Sequence, residues 1–429
     1  RVHVTDAKGK RVRCKWLQDR KVGAVAMRCR FVAMQVACQA REDAFAGAPP
    51  LKFVRLALVL AAAFRNHMKV YLIGLSDISS AFSHAEMGED ACAVPPSGEE
   101  GPNVVWQLRM ALCGTRGASK PFQRKVIGAS GLHPHVGDSD GVLPRPEGIY
   151  IVVHGNDFMA VGALEDLRWL NEILEAEFEV KRAPFVGPAE AGGEATSGHF
   201  LKRTVSWTEK GFHCESDAKH ARTVVEAYGK LPAAREISPA SQSIGKKVPT
   251  ALDRLGYAQK KLFQSAAPTA LYLAADGPDL QFATSWIVRG MQEPLVLHEL
   301  ELKRLAAYLA THPQMMWNFE YQELPSEVTI VTDAATRALS SGEAECVEMT
   351  NGAARGILAK NLSEEMGIKM TVKVCGDSAA AIGVRSRLGA GRIRLPGAKY
   401  LRMRGEVAEK EVRAAKVPTA ENVADLIAK

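Results

Sequence analysis

No two of the eight cysteines stand in a Cys-x-x-Cys pair; Cys14, Cys29, Cys38, Cys92, Cys113, Cys214, Cys346 and Cys375 are scattered through the 429 residues. That spacing argues against zinc and gives a disulfide framework no support, so the thiols are expected to be reduced and the protein intracellular, in cytoplasm or nucleus. A long apolar run is also missing. The most apolar stretch, Phe53 to Phe64, is interrupted by Arg55 and is too short to span a bilayer. A buried helix is expected there, and no membrane partner. No signal peptide and no internal repeat is visible. The chain opens Arg1-Val-His-Val without Met, which reads as a fragment of a longer open reading frame. Neither sign of charge prevails. With 55 Lys and Arg against 48 Asp and Glu, the formal net charge of +7 permits a nucleic-acid partner without demanding one.

What is present suffices for two or three domains with real cores. Residues 1 to about 30 are rich in Arg and Lys, either a nucleic-acid-contacting edge or a solvated terminal hairpin turning at Asp6-Ala-Lys-Gly9. A helix is expected over Leu51 to Arg65, a strand over 68–82 with a helix beginning near Ser79, and a short strand at Val104 to Leu108. Ala118 to Ile127 reads as a helix with Pro121 in its first turn. Further on, Leu164 to Phe178 reads as a helix, Glu179 to Arg182 as a strand, and 204–207 with 211–214 as a hairpin. Asp217 to Tyr228 is expected as a helix. Residues 229–250 are turn-rich and read as a linker, and 252–311 read as three helices. From Val328 the pattern alternates between strand and helix, which suggests a last α/β domain.

The stretch Gly148-Ile-Tyr-Ile-Val-Val-His-Gly-Asn-Asp-Phe-Met-Ala-Val-Gly162 reads as strand, tight polar tip, strand. It places the carboxylate of Asp157 where a metal ion can reach it. A second apolar run, Val70 to Phe82, carries Asp77. Two strand-borne acids far apart in sequence, one at a hairpin tip, are what a polymerase palm needs to hold two metal ions.

Several blocks occur in one order: Phe31-Val-Ala-Met34, Phe45-Ala-Gly-Ala-Pro-Pro-Leu51, Asp77-Ile-Ser-Ser-Ala-Phe-Ser-His-Ala85, Val94-Pro-Pro-Ser-Gly98 and Met110-Ala-Leu-Cys-Gly-Thr-Arg116. Val153-His-Gly-Asn-Asp-Phe158, Leu271-Tyr-Leu-Ala-Ala-Asp-Gly-Pro-Asp279, Leu339-Ser-Ser-Gly-Glu-Ala-Glu345, Cys375-Gly-Asp-Ser-Ala-Ala-Ala-Ile382 and Asn422-Val-Ala-Asp-Leu-Ile-Ala-Lys429 follow. Together they resemble the reverse transcriptase plus RNase H region of a copia-type retrotransposon polyprotein, over nearly the whole chain. The resemblance implies an α+β right-hand polymerase, with fingers and an antiparallel palm sheet over 1–215. A helical thumb or connection over 216–325 and an α/β RNase H-like domain over 326–429 would follow. The family's protease, integrase and upstream fingers are absent from this sequence.

By resemblance Asp77 is the first palm acid, and Asn156-Asp157 replaces the family's Asp-Asp pair. Two Mg²⁺ ions per site are implied, with RNA template, DNA primer and RNA–DNA hybrid as partners. An amide at Asn156 keeps a neutral oxygen but loses a charge, so Mg²⁺ is held more weakly. Arg116 and Lys120, just before or within the helix preceding the hairpin, either contact template phosphates or lie on a solvated helix face.

For the ribonuclease site the resemblance assigns Asp333, Glu345, Asp377 and Asp425. Val328 to Thr332 reads as a strand ending in Asp333, and Met370 to Cys375 as one ending at Gly376-Asp377. Only Ala334 to Ala344 separate Asp333 from Glu345. The family's two further strands, at about five residues each plus turns, do not fit there. The domain is therefore expected to be truncated, with its first strand at an exposed edge. Leu395 stands where the family has His. The surrounding segment is basic through Arg392, Arg394 and Lys399, which suits phosphate contact or a plain solvated loop. The expectation is thus a polymerase and RNase H with impaired catalysis. A catalytically inactive nucleic-acid-binding remnant, and a non-functional pseudogene product, remain open beside it.

Overall fold

The computed structural model describes residues 1–19, 27–35, 51–63, 70–101, 103–130, 142–145, 148–228, 238–241, 253–333, 341–365, 368–386 and 412–424. Of the expected site residues, Arg392, Arg394, Lys399 and Asp425 lie outside them. The chain is a mixed α/β protein with several sheets, divided into two compact units: Arg1–Leu201 with Ser206–Lys210, and Lys202–Val205 with Gly211–Lys429.

The first unit carries, in chain order, β1 (Val2–His3), β2 (Lys10–Asp19), β3 (Arg28–Ala33), α1 (Leu51–Ala63), β4 (Leu72–Ile78), β5 (Ala91–Val94), β6 (Val104–Gln107) and α2 (Ser119–Ser130). After these come β7 (Val142–Arg145), β8 (Ile149–His154), β9 (Asp157–Gly162), α3 (Leu164–Glu177), β10 (Val180–Arg182) and β11 (Ser197–Phe200). One sheet has the order β1-β6-β5-β2-β3. In β2 the side chains alternate, Val12 and Cys14 inward and Arg11, Arg13 and Lys15 outward. Val12 and Cys14 pack with Ala33 and Ala93, and Trp16, Phe31 and Trp106 continue that layer with ring centroids 5.1 and 5.2 Å apart. The amino-terminal segment does not close into a hairpin at Asp6-Ala-Lys-Gly9; β2 pairs antiparallel with β3 instead, Cys14 opposite Ala33. Val2 pairs with Val105, and β2 runs parallel to β5 with Lys10 opposite Ala91. These two partners, β6 for β1 and β5 for the other edge of β2, come from about eighty to a hundred residues on, which local turn chemistry does not specify.

The second sheet, β10-β4-β9-β8-β7, is antiparallel throughout. Its central strands are buried residue after residue, not alternately, because both faces are covered. Ile149, Ile151, Val153, Phe158 and Ala160 pack with Phe122 and Val126 of α2 and Leu167, Leu170 and Leu174 of α3. On α1, Ala57, Leu58, Leu60 and Ala61 are fully buried, and that helix lies against β8 and β9. The hairpin between β8 and β9 turns on two residues, Gly155 and Asn156. Gly155 has φ +65° while Asn156 stays outside the left-handed region, the pattern of a tight turn that wants glycine first. Asp157 therefore belongs to β9 itself.

The helix expected near Ser79 is a four-residue 3₁₀ turn, Ala81–His84. Ser80 before it is left-handed at φ 50°, and Ser83 Oγ donates to the Ser80 carbonyl, so the chain curls too tightly to propagate an α-helix. Val142–Arg145, not expected as a strand, pairs with β8 at the sheet edge, where Pro144 is tolerated.

β12 (Arg203–Thr208) is shared between the units, and the second unit continues with β13 (Gly211–Ser216), α4 (Ala218–Ala227), α5 (Tyr257–Leu273), α6 (Gln281–Val288), α7 (Val296–Thr311) and β14 (Met316–Glu320). It ends with β15 (Glu327–Val331), α8 (Ser341–Glu365), β16 (Thr371–Gly376), α9 (Ala379–Ser386) and β17 (Val412–Lys416). Helices α4 to α7 share an alanine-rich core around Phe263, Leu302 and Leu305. β14 pairs with β13, Phe212 opposite Phe319, a strand the helical reading of this region did not contain. Beside it the buried Arg203 guanidinium grips both oxygens of Asp276 at 2.8 Å.

The last sheet is parallel, with order β15-β16-β17. Helix α8 crosses it closely because it has glycines where it meets the strands: a Cβ on Gly356 would fall 2.4 Å from Val372, and one on Gly352 2.6 Å from Thr332. β15 is an edge strand among the described residues.

Candidate active sites

Asp77 of β4 lies directly opposite Asp157 of β9. Cross-strand partners in an antiparallel pair project from the same face, with Cβ atoms about 5 Å apart. Both carboxylates are half-buried, at the strand ends next to the Gly155-Asn156 turn. The backbone fixes this arrangement, since Ile78 N–H donates to the Asn156 carbonyl at 2.9 Å. Burial raises the Asp157 carboxyl above its ordinary range, the charge of Asp77 raises it further, and His154 opposes both. Asn156 is exposed and turns its side-chain amide to Asp77, donating from Nδ2 to Oδ1. It thereby occupies a lone pair that a metal ion would need.

These donors suit a hard cation in kind, because two adjacent carboxylates repel until a positive charge joins them. They are one charge poorer than a site with an acid at 156. Next to Asn156 opens a cleft of about 400 Å³, lined by Cys29 to Val32, Ser80 to Ser83 and Ala111 to Cys113. Four consecutive residues of β3 line it because β3, among the described residues, is an edge strand presented side-on. Sequence reasoning missed Arg30 and Phe82 as site residues. Their only signals were the basic composition of the first thirty residues and the apolar run after Asp77.

Arg116 and Lys120 belong to the approach to α2. Arg116 N–H donates to Gln35 Oε1 at 2.8 Å, and Lys120 is half-buried in the first helical turn. Their phosphate role thus has no geometric support of its own.

At the other end of the chain, Asp333, Glu345 and Asp377 each bring a carboxylate oxygen within 4.8 Å of the others. Val331 pairs in parallel with Cys375, so Asp333 and Asp377 each follow a paired position by two residues. Their side chains leave the carboxyl ends of neighbouring strands, where open α/β sheets bind ligands. Thr332 holds the register, its N–H donating to the Cys375 carbonyl at 2.8 Å. Glu345, buried, comes in from α8. Octahedral Mg²⁺ with bonds of about 2.1 Å places its ligand oxygens roughly 3–4 Å apart. The triad's oxygens, within 4.8 Å of one another, are close to that spacing, so the residues present suit one divalent ion. Asn422 Nδ2 donates to the Thr332 carbonyl at 3.3 Å, which holds the chain at Asn422 against this strand end.

No protein-family model and no curated protein matches the sequence. Among solved structures, the chain is similar to a foamy viral protease-reverse transcriptase in complex with an RNA/DNA hybrid, with 11% identity and a TM-score of 0.48 over 96% of this chain and 51% of that one. The native prototype foamy virus protease-reverse transcriptase aligns over the same shares with 12% identity and a TM-score of 0.26. The chain spans about half the length of these two proteins. Scores this low leave the chemistry to be argued from the residues. Among the described residues no helix is long and apolar enough to cross a membrane.

Proposed function

We propose that this protein is an RNA-directed DNA polymerase joined to a ribonuclease H, of the copia-type retrotransposon kind, with impaired catalysis. The observation that carries the reading is the register of Asp77 against Asp157 beside a two-residue turn. A second acid triad in the same chain supports it. Fingers and palm would span 1–215, a helical thumb or connection 216–325, and the RNase H-like domain 326–429. The partners would be an RNA template, a DNA primer and their hybrid.

Asp77 and Asp157 would hold Mg²⁺ in the palm; Asp333, Glu345 and Asp377, with Asp425, would hold it in the second site. Bound Mg²⁺ supplies activation of the attacking oxygen and stabilisation of the leaving group. The chain's own part is to place carboxylates on one face and to receive the nucleotide. Arg30, exposed on the cleft, suits a triphosphate, and Phe82 offers an apolar wall for sugar or base. Asn156 works against this chemistry, because its amide satisfies Asp77 in the metal's stead.

That same contact favours a second reading, a nucleic-acid-binding protein of this fold without catalysis. Mg²⁺-dependent primer extension on an RNA template, measured beside hybrid binding for the protein and for Asn156→Asp, separates the two. Extension that rises in the variant supports the polymerase reading. Binding without extension in either form supports the inactive remnant. A non-functional product predicts neither binding nor a cooperative unfolding transition.

A further inference from the structure

The cleft beside Asn156 carries two thiols. Cys29 and Cys113 are both exposed and both line it, whereas Cys14, Cys92, Cys214, Cys346 and Cys375 are buried. Arg30, in the same lining, is exposed and has no ion pair among the described residues. The two thiols cannot join each other. Cys113 is fixed at the far end of β3 by the hydrogen bond from Ala33 N–H to its carbonyl, 2.8 Å. Cys29 lies four residues away, about 13 Å along the strand at ordinary strand rise, beyond the roughly 7 Å that a disulfide bridges. Among the described residues no other exposed thiol is at hand, so the partner considered is one from outside, and the Arg30 guanidinium, without an ion pair among those residues, favours an acidic one.

We propose that Cys29 and Cys113 form a thiol-modification site for an acidic small-molecule disulfide of the glutathione type, and that its occupancy shuts the cleft to nucleotide. The cysteine thiolate attacks one sulfur of the disulfide. A mixed disulfide forms, the incoming S–S bond breaks, and the departing thiolate takes up the proton that the cysteine gave up. The disulfide is the oxidant, and reduced glutathione reverses the step. A glutathionyl group anchored there fills much of the 400 Å³ available. The closing of the cleft rests on the nucleotide reading above; the modification does not.

The intact protein is incubated with oxidised glutathione or with neutral hydroxyethyl disulfide, and labelled cysteines are mapped by peptide mass spectrometry. Label is expected on Cys29 and Cys113 ahead of the five buried thiols, with glutathione disulfide about tenfold the faster reagent, as one well-placed charge contact allows. Arg30→Gln should abolish that preference. Equal labelling of the buried cysteines, or no preference for the acidic reagent, overturns the site. Fluorescent deoxyadenosine triphosphate is then bound before and after modification. Affinity that falls at least about tenfold, is restored by dithiothreitol, and is unaffected in Cys29→Ser/Cys113→Ser supports closure. Unchanged affinity in fully labelled protein overturns it. No binding even before modification refutes the nucleotide reading and with it the closure, and the labelling arm still decides the site.

Discussion

Asp77 and Asp157 face each other in register across β4 and β9, and Asn156 at the adjoining turn donates its amide to Asp77. The turn thus supplies, with a neutral hydrogen bond, part of what a cation would supply in an all-acid palm. Asn156→Asp exchanges that bond for a third negative charge. If the lost charge costs about 4 kcal/mol in the transition state, the variant should extend a primer about a thousandfold faster in saturating Mg²⁺. Without divalent ions it should melt below the parent. Equal extension rates in both forms would place Asn156 away from the reacting metals.

The same pair sets a pH dependence. Folding raises the Asp157 carboxyl, through burial first and the Asp77 charge second. A carboxyl that binds its proton more tightly when folded gains stability from protonation. Its contribution is present below the unfolded value of 3.8 and is lost as pH rises through the higher folded value. Asp157→Asn should flatten that limb of the stability profile, read by denaturant unfolding between pH 3.5 and 6, and should stabilise the metal-free protein at neutral pH. A steeper profile in the variant would contradict the assigned direction.

Arg203 and Asp276 form a two-pronged ion pair, with side chains 5% and 8% exposed. Trp317 Nε1 donates to the Asp276 carbonyl at 2.9 Å, tying β14 to the same point. Asp276→Ala leaves a buried guanidinium without its counter-charge. The expected loss is about 3–5 kcal/mol in urea unfolding, far more than an exposed pair gives up. A loss under about 1 kcal/mol would mean that solvent reaches Arg203.

His298 is buried against Trp286 and Phe263, and its Nδ1 accepts from Leu295 N–H at 3.1 Å. Burial lowers its pKa from 6.5. The folded state therefore binds fewer protons than the unfolded one as pH falls below 6.5, and stability declines from there to the depressed folded value. His298→Gln should lose this acid-side slope, checked by thermal melts from pH 7 to 5. An unchanged slope would assign it to other groups.

The β8–β9 hairpin was legible in the sequence because its signals are local: β-branched strands, a glycine able to take φ +65°, and an acid right after the turn. Strands β15 and β16 were legible as two apolar runs that each end in an acid, and the structure adds that they pair in parallel. What stayed hidden depends on distant partners. β14 joins β13 across a hundred residues, and its Met-Trp-Asn-Phe-Glu run has no turn beside it to announce a hairpin. The cleft is assembled from three separate segments and Asn156, so no single motif betrays it. The helix assigned near Ser79 failed because a left-handed serine cannot be read from composition.

The C-terminal triad separates metal binding from catalysis. Asp333, Glu345 and Asp377 lie within 4.8 Å of one another, so one divalent ion should raise the melting temperature, and Glu345→Gln should remove most of that rise. Efficient hydrolysis of the RNA strand needs more, namely a second ion and a firm platform under the first strand. Among the described residues β15 has a neighbour only on the β16 side, and an edge strand with open backbone groups is held less firmly. Cleavage of an RNA–DNA hybrid in Mg²⁺ should accordingly be weak or absent while the ion still binds. Brisk cleavage, abolished by Asp377→Asn, would show that the three-stranded sheet suffices. A melting temperature indifferent to divalent ions in the parent would show instead that the three carboxylates do not act together.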